Sequence, residues 1–111
     1  MTQPKQKGTA AETAVLRFLS GWWPNVTRLA PAGAADCGDL DGVPELCVQV
    51  KNHRQMRLAD WVDQASEQAE RARKPYAVVI HKRVRKGDPA EWYATLTLRD
   101  FAECYAERQH A

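Results

Sequence analysis

No stretch of this 111-residue chain approaches the roughly 20 consecutive apolar residues that a membrane span requires. Its N-terminus is polar where a secretory signal would be apolar, so a cytosolic protein with no membrane partner is expected. Cysteine is scarce. Cys37, Cys47 and Cys104 are odd in number and lack CxxC spacing, which fits neither a zinc site nor a disulfide framework. Cys47, inside an apolar run, is expected as a core thiol. There is no internal repeat, low-complexity tract or linker. Charge of one sign is also lacking: the net value of +2 is weak evidence for any partner.

What is present is enough for one packed domain. Apolar residues make up 44% of the chain and include four tryptophans, and a domain of this length buries roughly two-thirds of its unfolded surface. The charges are segregated. Asp36, Asp39, Asp41 and Glu45 form an acidic cluster, whereas His81-Lys82-Arg83-Val84-Arg85-Lys86 is almost wholly basic. Separation of this kind suits a centre that holds cations beside a surface that holds a polyanion.

Periodicity places the elements. Ala11, Ala14, Val15, Phe18 and Leu19 recur at helical spacing within residues 5–21, with Gly21 and Pro24 as the stop. Residues 25–30 read as a strand, 31–38 as a loop of small residues, and Asp39-Leu40 as the opening of a short strand before the Asp41-Gly42 turn. In 45–51, Leu46, Val48 and Val50 alternate against Cys47, Gln49 and Lys51, the pattern of a strand. Residues 58–74 carry the clearest helical face: Leu58, Trp61/Val62, Ala65, Ala69 and Ala72, with Pro75 beyond. A buried-type strand at 76–80, a strand at 91–97 and a closing helix at 98–108, with Phe101, Ala102 and Tyr105 inward, complete the order α-β-β-β-α-β, then β-α.

Strand geometry projects Gln49 and Lys51 to one face and Val50 to the other. A hairpin-like return would bring Asp39 beside Gln49. The Asp39 carboxylate, the Gln49 amide oxygen and the Val50 carbonyl then form a set of hard oxygen donors suited to Mg²⁺ or its substitute Mn²⁺. A lysine at position 51 could orient or deprotonate a water, or neutralise a pentavalent phosphorane. Together these parts would make a metal-assisted hydrolase of phosphate esters. Asp36 competes for the aspartate role; Asp39 is preferred because it directly precedes apolar Leu40.

The arrangement is similar to the PD-(D/E)XK nuclease superfamily, whose restriction-endonuclease-like αβββαβ core carries an Asp and a D/E-x-K on adjacent strands. More narrowly, Lys7-Gly8-Thr9-Ala10-Ala11-Glu12 resembles the opening of archaeal-type Holliday junction resolvases, and the whole is similar to the small resolvase-like nucleases of actinobacterial phages. The resemblance spans about residues 5–80. It implies an α/β fold with a mixed central sheet flanked by helices, here with a C-terminal strand and helix added. Glu12 would join Asp39, Gln49 and Val50 at the metal, Lys51 would be the catalytic lysine, and Gln64 would help position water or phosphate. The implied activity is that of a Mg²⁺-dependent DNA endonuclease, first of all a Holliday junction resolvase acting as a homodimer on four-way junctions, with another DNA nuclease of the superfamily (restriction, repair or end-directed) or a catalytically inactive DNA-binding member as the alternatives. DNA contacts are expected from Lys7, His53, Arg54, Lys82, Arg83, Arg85 and Lys86. The departure is Gln49, where the superfamily usually has an acid. An amide supplies an oxygen without charge and holds a metal less tightly, although Mrr-like restriction enzymes also carry Gln-x-Lys.

Four further residues have expected places. His81, ending a buried strand, is expected to be structural, and Trp92 to be core. One of Trp22 and Trp23 is expected in the core, with the other free to stack on a base or a partner subunit.

Overall fold

The computed structural model describes residues 4–29 and 38–110, with 4–8 and 110 by backbone alone. Helix α1 (Pro4–Leu19) buries Ala11 and Val15. It ends where the N–H groups of Trp22 and Trp23 turn back onto the Leu19 carbonyl. Strands β1 (Thr27–Arg28), β2 (Leu40–Asp41) and β3 (Leu46–Lys51) follow, then helix α2 (Leu58–Arg71) and strand β4 (Tyr76–His81). A 3-10 turn at Pro89–Glu91 leads into β5 (Tyr93–Thr95), and α3 (Leu98–His110) closes the chain. The element order is the one read from the sequence.

The strands form one mixed sheet in the order β1-β2-β3-β4-β5. Only the β3–β4 pair is parallel, and it is the pair joined by a crossover helix, as parallel strands require. The chain is therefore α/β, a five-stranded mixed sheet with three helices. Period-two alternation in β3 assigns its faces as expected. Leu46, Val48 and Val50 join Val78 and Ile80 against α1, while Cys47 joins Ala77 and Val79 under Trp61, Ala65 and Ala69 of α2. With a helix on each side, the four central residues of β3 are all buried, each valine contributing roughly 1.5–3 kcal/mol.

Several local expectations are corrected. Helix α2 stops at Arg71, before Pro75: Arg73 adopts φ +58° and the Lys74 N–H bonds the Ala69 carbonyl, a left-handed cap that satisfies an orphan carbonyl without glycine. Glu91 belongs to a 3-10 turn rather than a strand, because the Asp88 side chain accepts from the Ala90 N–H and Pro89 occupies the first position. Neither Trp22 nor Trp23 enters the core, whereas Trp92 does, its indole N–H donating to the Lys86 carbonyl. Cys47 is fully buried but disulfide-bonded rather than a thiol, and Cys104 is free; Cys37 lies outside the described residues. No helix among the described residues is long and apolar enough to cross a membrane.

The closing helix is the largest correction. Phe101, Ala102 and Tyr105 face outward. The short β5 leaves the edge of β4 near Ala77 uncovered, and a buried backbone N–H there needs an acceptor. Asp100 supplies it, accepting from the Ala77 N–H at 3.1 Å, and Glu107 accepts from the Tyr76 hydroxyl at 2.7 Å. Residues 100 and 107 share one face of the helix, so the sheet edge claims the polar side and the aromatic side is left outside.

His81 is buried, sharing a 2.8 Å hydrogen bond with the Thr95 hydroxyl through Nε2. Burial holds its imidazole below the ordinary value of 6.5. An unfolded chain takes up this proton at a higher pH than the folded one. Stability is thus full above about pH 6.5 and falls as the pH drops toward the lowered folded value. Thermal melts between pH 8 and 5 should show this loss, and His81→Phe should flatten it; identical profiles would refute the assignment.

Candidate functional site

The loop between β1 and β2 returns to the sheet through Gly38, which adopts φ +79°. A Cβ at this position would lie 2.3 Å from the Val48 carbonyl oxygen, so only glycine lets the chain approach β3 this closely. The next residue is Asp39, whose N–H bonds the Val48 carbonyl at 2.7 Å. Its Oδ2 accepts from the Val50 N–H, also at 2.7 Å. The expected return therefore occurs: Leu40 pairs with Val48, which sets Asp39 against the Gln49–Val50 peptide. Because N–H and C=O of one strand residue project to the same edge, the Val50 carbonyl also faces the Asp39 side. Gly38→Ala should lower stability by about 2–3 kcal/mol through the clash and the left-handed backbone, read as a drop in the denaturant midpoint.

Gln49 is only 5% exposed. Its Nε2 donates to Gln68 Oε1 at 2.7 Å, and the same oxygen accepts from the Gly38 N–H at 2.9 Å. Gln68 thus ties Gly38, β3 and α2 together. The remaining polar atom, Gln49 Oε1, is buried with no hydrogen-bond partner. Such an atom costs about 1–3 kcal/mol unless water or an ion meets it.

Glu12, on α1, completes the acidic side. Burial and the nearby negative charge of Asp39 push its carboxyl above the ordinary value, while Arg28 pulls in the opposite direction. Arg28 Nε lies 3.9 Å from Glu12 Oε1, and its guanidinium is held by the Thr9 carbonyl and the Thr13 hydroxyl. Asp39 lies against the Gln49–Val50 peptide and within electrostatic reach of Glu12, and carboxylate, amide and main-chain carbonyl oxygens are the donor types that a hard divalent cation takes. Among the described residues Asp39, Asp41 and Glu45 do not gather into one metal-holding group. Among the described residues no group of three or more His, Cys, Asp or Glu side chains could hold a metal. Asp41 instead pairs with Lys74 at 3.8 Å, Glu45 is exposed, and Asp36 lies outside the described residues.

Lys51 ends β3, half-buried on the face that carries Gln49. Its carbonyl accepts from the Lys82 N–H at 3.0 Å, and it sits in register with His81. The basic segment therefore leaves the sheet directly beside Lys51. Lys82 Nζ lies 5.7 Å from the Trp92 ring centroid, Arg83 stacks 4.7 Å from that of Tyr93 and donates to the Glu91 carbonyl, and Lys86 reaches Glu91 at 4.0 Å. Arg85 is exposed, as are Arg54 and His53, whose ring lies 5.3 Å from that of Trp61. The side chain of Lys7 lies outside the described residues.

Two residues of the site are not among those expected. Gln64 is exposed on α2, and the glutamine of that helix that meets Gln49 is Gln68. The signal for Gln68 was its place seven residues after Trp61 and three after Ala65, a lone uncharged polar side chain on the inward stripe. Arg28 gave no comparable signal, because its partner Glu12 lies on another element. Comparison with known protein families, curated proteins and solved structures finds no match to this chain.

Proposed function

We propose that this protein is a metal-dependent DNA endonuclease of the PD-(D/E)XK kind, a structure-selective resolvase of four-way junctions that acts as a homodimer. The observation that carries the reading is the buried, unpartnered Oε1 of Gln49 beside Asp39 and the Val50 carbonyl, with Lys51 two residues along the same face. Asp39, Gln49, Val50 and Glu12 would hold Mg²⁺ or Mn²⁺. When bound, the cation supplies Lewis-acid stabilisation of a phosphate oxygen and lowers the pKa of a bound water.

The chain's own residues do the rest. Gln68 fixes the rotamer of Gln49, and Gly38 sets Asp39 against β3. The Lys51 ammonium donates to a non-bridging phosphate oxygen, offsetting charge that grows as water adds to phosphorus and the P–O ester bond breaks. Lys82, Arg83 and Arg85 contact backbone phosphates; such contacts fix position without reading bases. A two-fold dimer places two such centres on opposite strands. Purified protein with Mg²⁺ or Mn²⁺ should cut a synthetic four-way junction in preference to linear duplex of the same sequence. Failure to cut either substrate with either metal would dismiss the enzyme reading.

A second reading is favoured by the Glu12–Arg28 contact, which places a protein cation on one of the proposed ligands. A DNA-binding member of the fold without catalysis would bind junctions with a steep salt dependence and leave them intact.

A further inference from the structure

We infer that the outer face of α3, continued by the end of α1, is the surface on which two copies of this chain associate. Leu98, Phe101, Tyr105 and Arg108 recur at spacings of three and four, one stripe along the helix. Leu98 is 80% exposed, and Phe101 and Tyr105 are 53% exposed each; the last two stack with ring centroids 5.8 Å apart and planes 15° apart. At the far end of the stripe Arg108 shares a groove with Phe18, Leu19, Trp22 and Trp23. Trp22 is 63% exposed and packs on Phe18 at 4.9 Å.

The occupant follows from area and composition. The five aromatic side chains and Leu98 leave roughly 600 Å² of apolar surface uncovered, close to the roughly 800 Å² per partner of a standard stable interface. Tryptophan, tyrosine, phenylalanine and arginine are the residues that interfaces concentrate. The stripe fits a copy of itself. Ala102 and Ala106 flank it, so two α3 helices can approach closely, and antiparallel pairing about residue 103 sets Phe101 of one copy opposite Tyr105 of the other, an isologous contact. The hydrogen bonds from Asp100 and Glu107 to β4 hold the helix by its opposite side, so the stripe is presented rigidly.

This assignment deepens the homodimer of the proposed function by naming its surface, but it rests on the exposed face alone and stands or falls apart from catalysis. Sedimentation equilibrium of the full chain without DNA should show a dimer at concentrations on the order of tens of micromolar. Phe101→Glu should raise the dissociation constant at least tenfold with an unchanged circular dichroism spectrum. Leu98→Lys, at the most exposed position of the stripe, should act in the same direction without touching the fold. Lys51→Ala should associate like the unmodified chain, whether or not it cuts DNA. A monomer throughout the range, or a dimer unmoved by both α3 substitutions, overturns the assignment. So does a monomer whose DNA affinity falls in the α3 variants, since the face would then be a nucleic-acid surface.

Discussion

Lys51→Ala and Asp39→Asn should each reduce metal-dependent cleavage of a four-way junction by about a thousandfold or more. Lys51 ends β3 on the Gln49 face, and among the described residues no carboxylate ion-pairs with it, so its ammonium is free for a substrate phosphate. Truncating a half-buried side chain at a strand end leaves the two core layers untouched. The melting temperature should therefore stay within a few degrees of the original. Asn is the informative change at position 39. Its amide oxygen still accepts from the Val50 N–H, as Asp39 Oδ2 does now, whereas Ala would strand a backbone donor at a cost of about 1–3 kcal/mol and confuse stability with activity. Single-turnover rates with saturating Mg²⁺ separate chemistry from binding, and unchanged rates in both variants would remove these residues from the mechanism.

Gln49→Glu should act in opposite directions with and without metal. The side chain is buried and its Nε2 donates to Gln68 Oε1, which also accepts from the Gly38 N–H. A carboxylate cannot donate. Gln68 would have to turn its amide toward position 49, and the Gly38 N–H would then face a second donor. The new charge also lies near Asp39; burial first, and then repulsion from Asp39, already raise the Glu12 carboxyl. Without divalent ions the variant should lose about 3–5 kcal/mol and melt markedly lower. With Mg²⁺ the added charge strengthens coordination, and ligand binding to the folded state alone recovers stability by mass action. The Mg²⁺-induced rise in melting temperature should exceed that of the original chain. A melt insensitive to Mg²⁺ and Mn²⁺ in both proteins would mean that Asp39, Gln49 and Val50 hold no cation.

Gln49 is buried as a neutral amide. A carboxylate in the same place would demand a permanent counter-charge, which an amide does not. Arg28 already occupies part of that role toward Glu12.

The element order, the two faces of β3 and the pairing of Asp39 with Gln49 and Val50 were legible in the residue pattern. Each of these follows from local rules. Period-two and period-3.6 patterning fix which side is buried, and antiparallel return through Gly38 and Leu40 fixes the neighbour across the strand gap. The rest depends on contacts between distant elements. Gln68 and not Gln64 meets Gln49 because the inward stripe of α2 is set by contact with Cys47 and Val79. Arg28 reached Glu12 across elements that no local pattern links. The aromatic face of α3 turned outward because an uncovered N–H on β4 needed Asp100, and satisfying a buried backbone donor outweighed the burial of Phe101 and Tyr105. Hydrophobic periodicity says that a helix has an apolar face; what that face meets depends on what its polar face must bond.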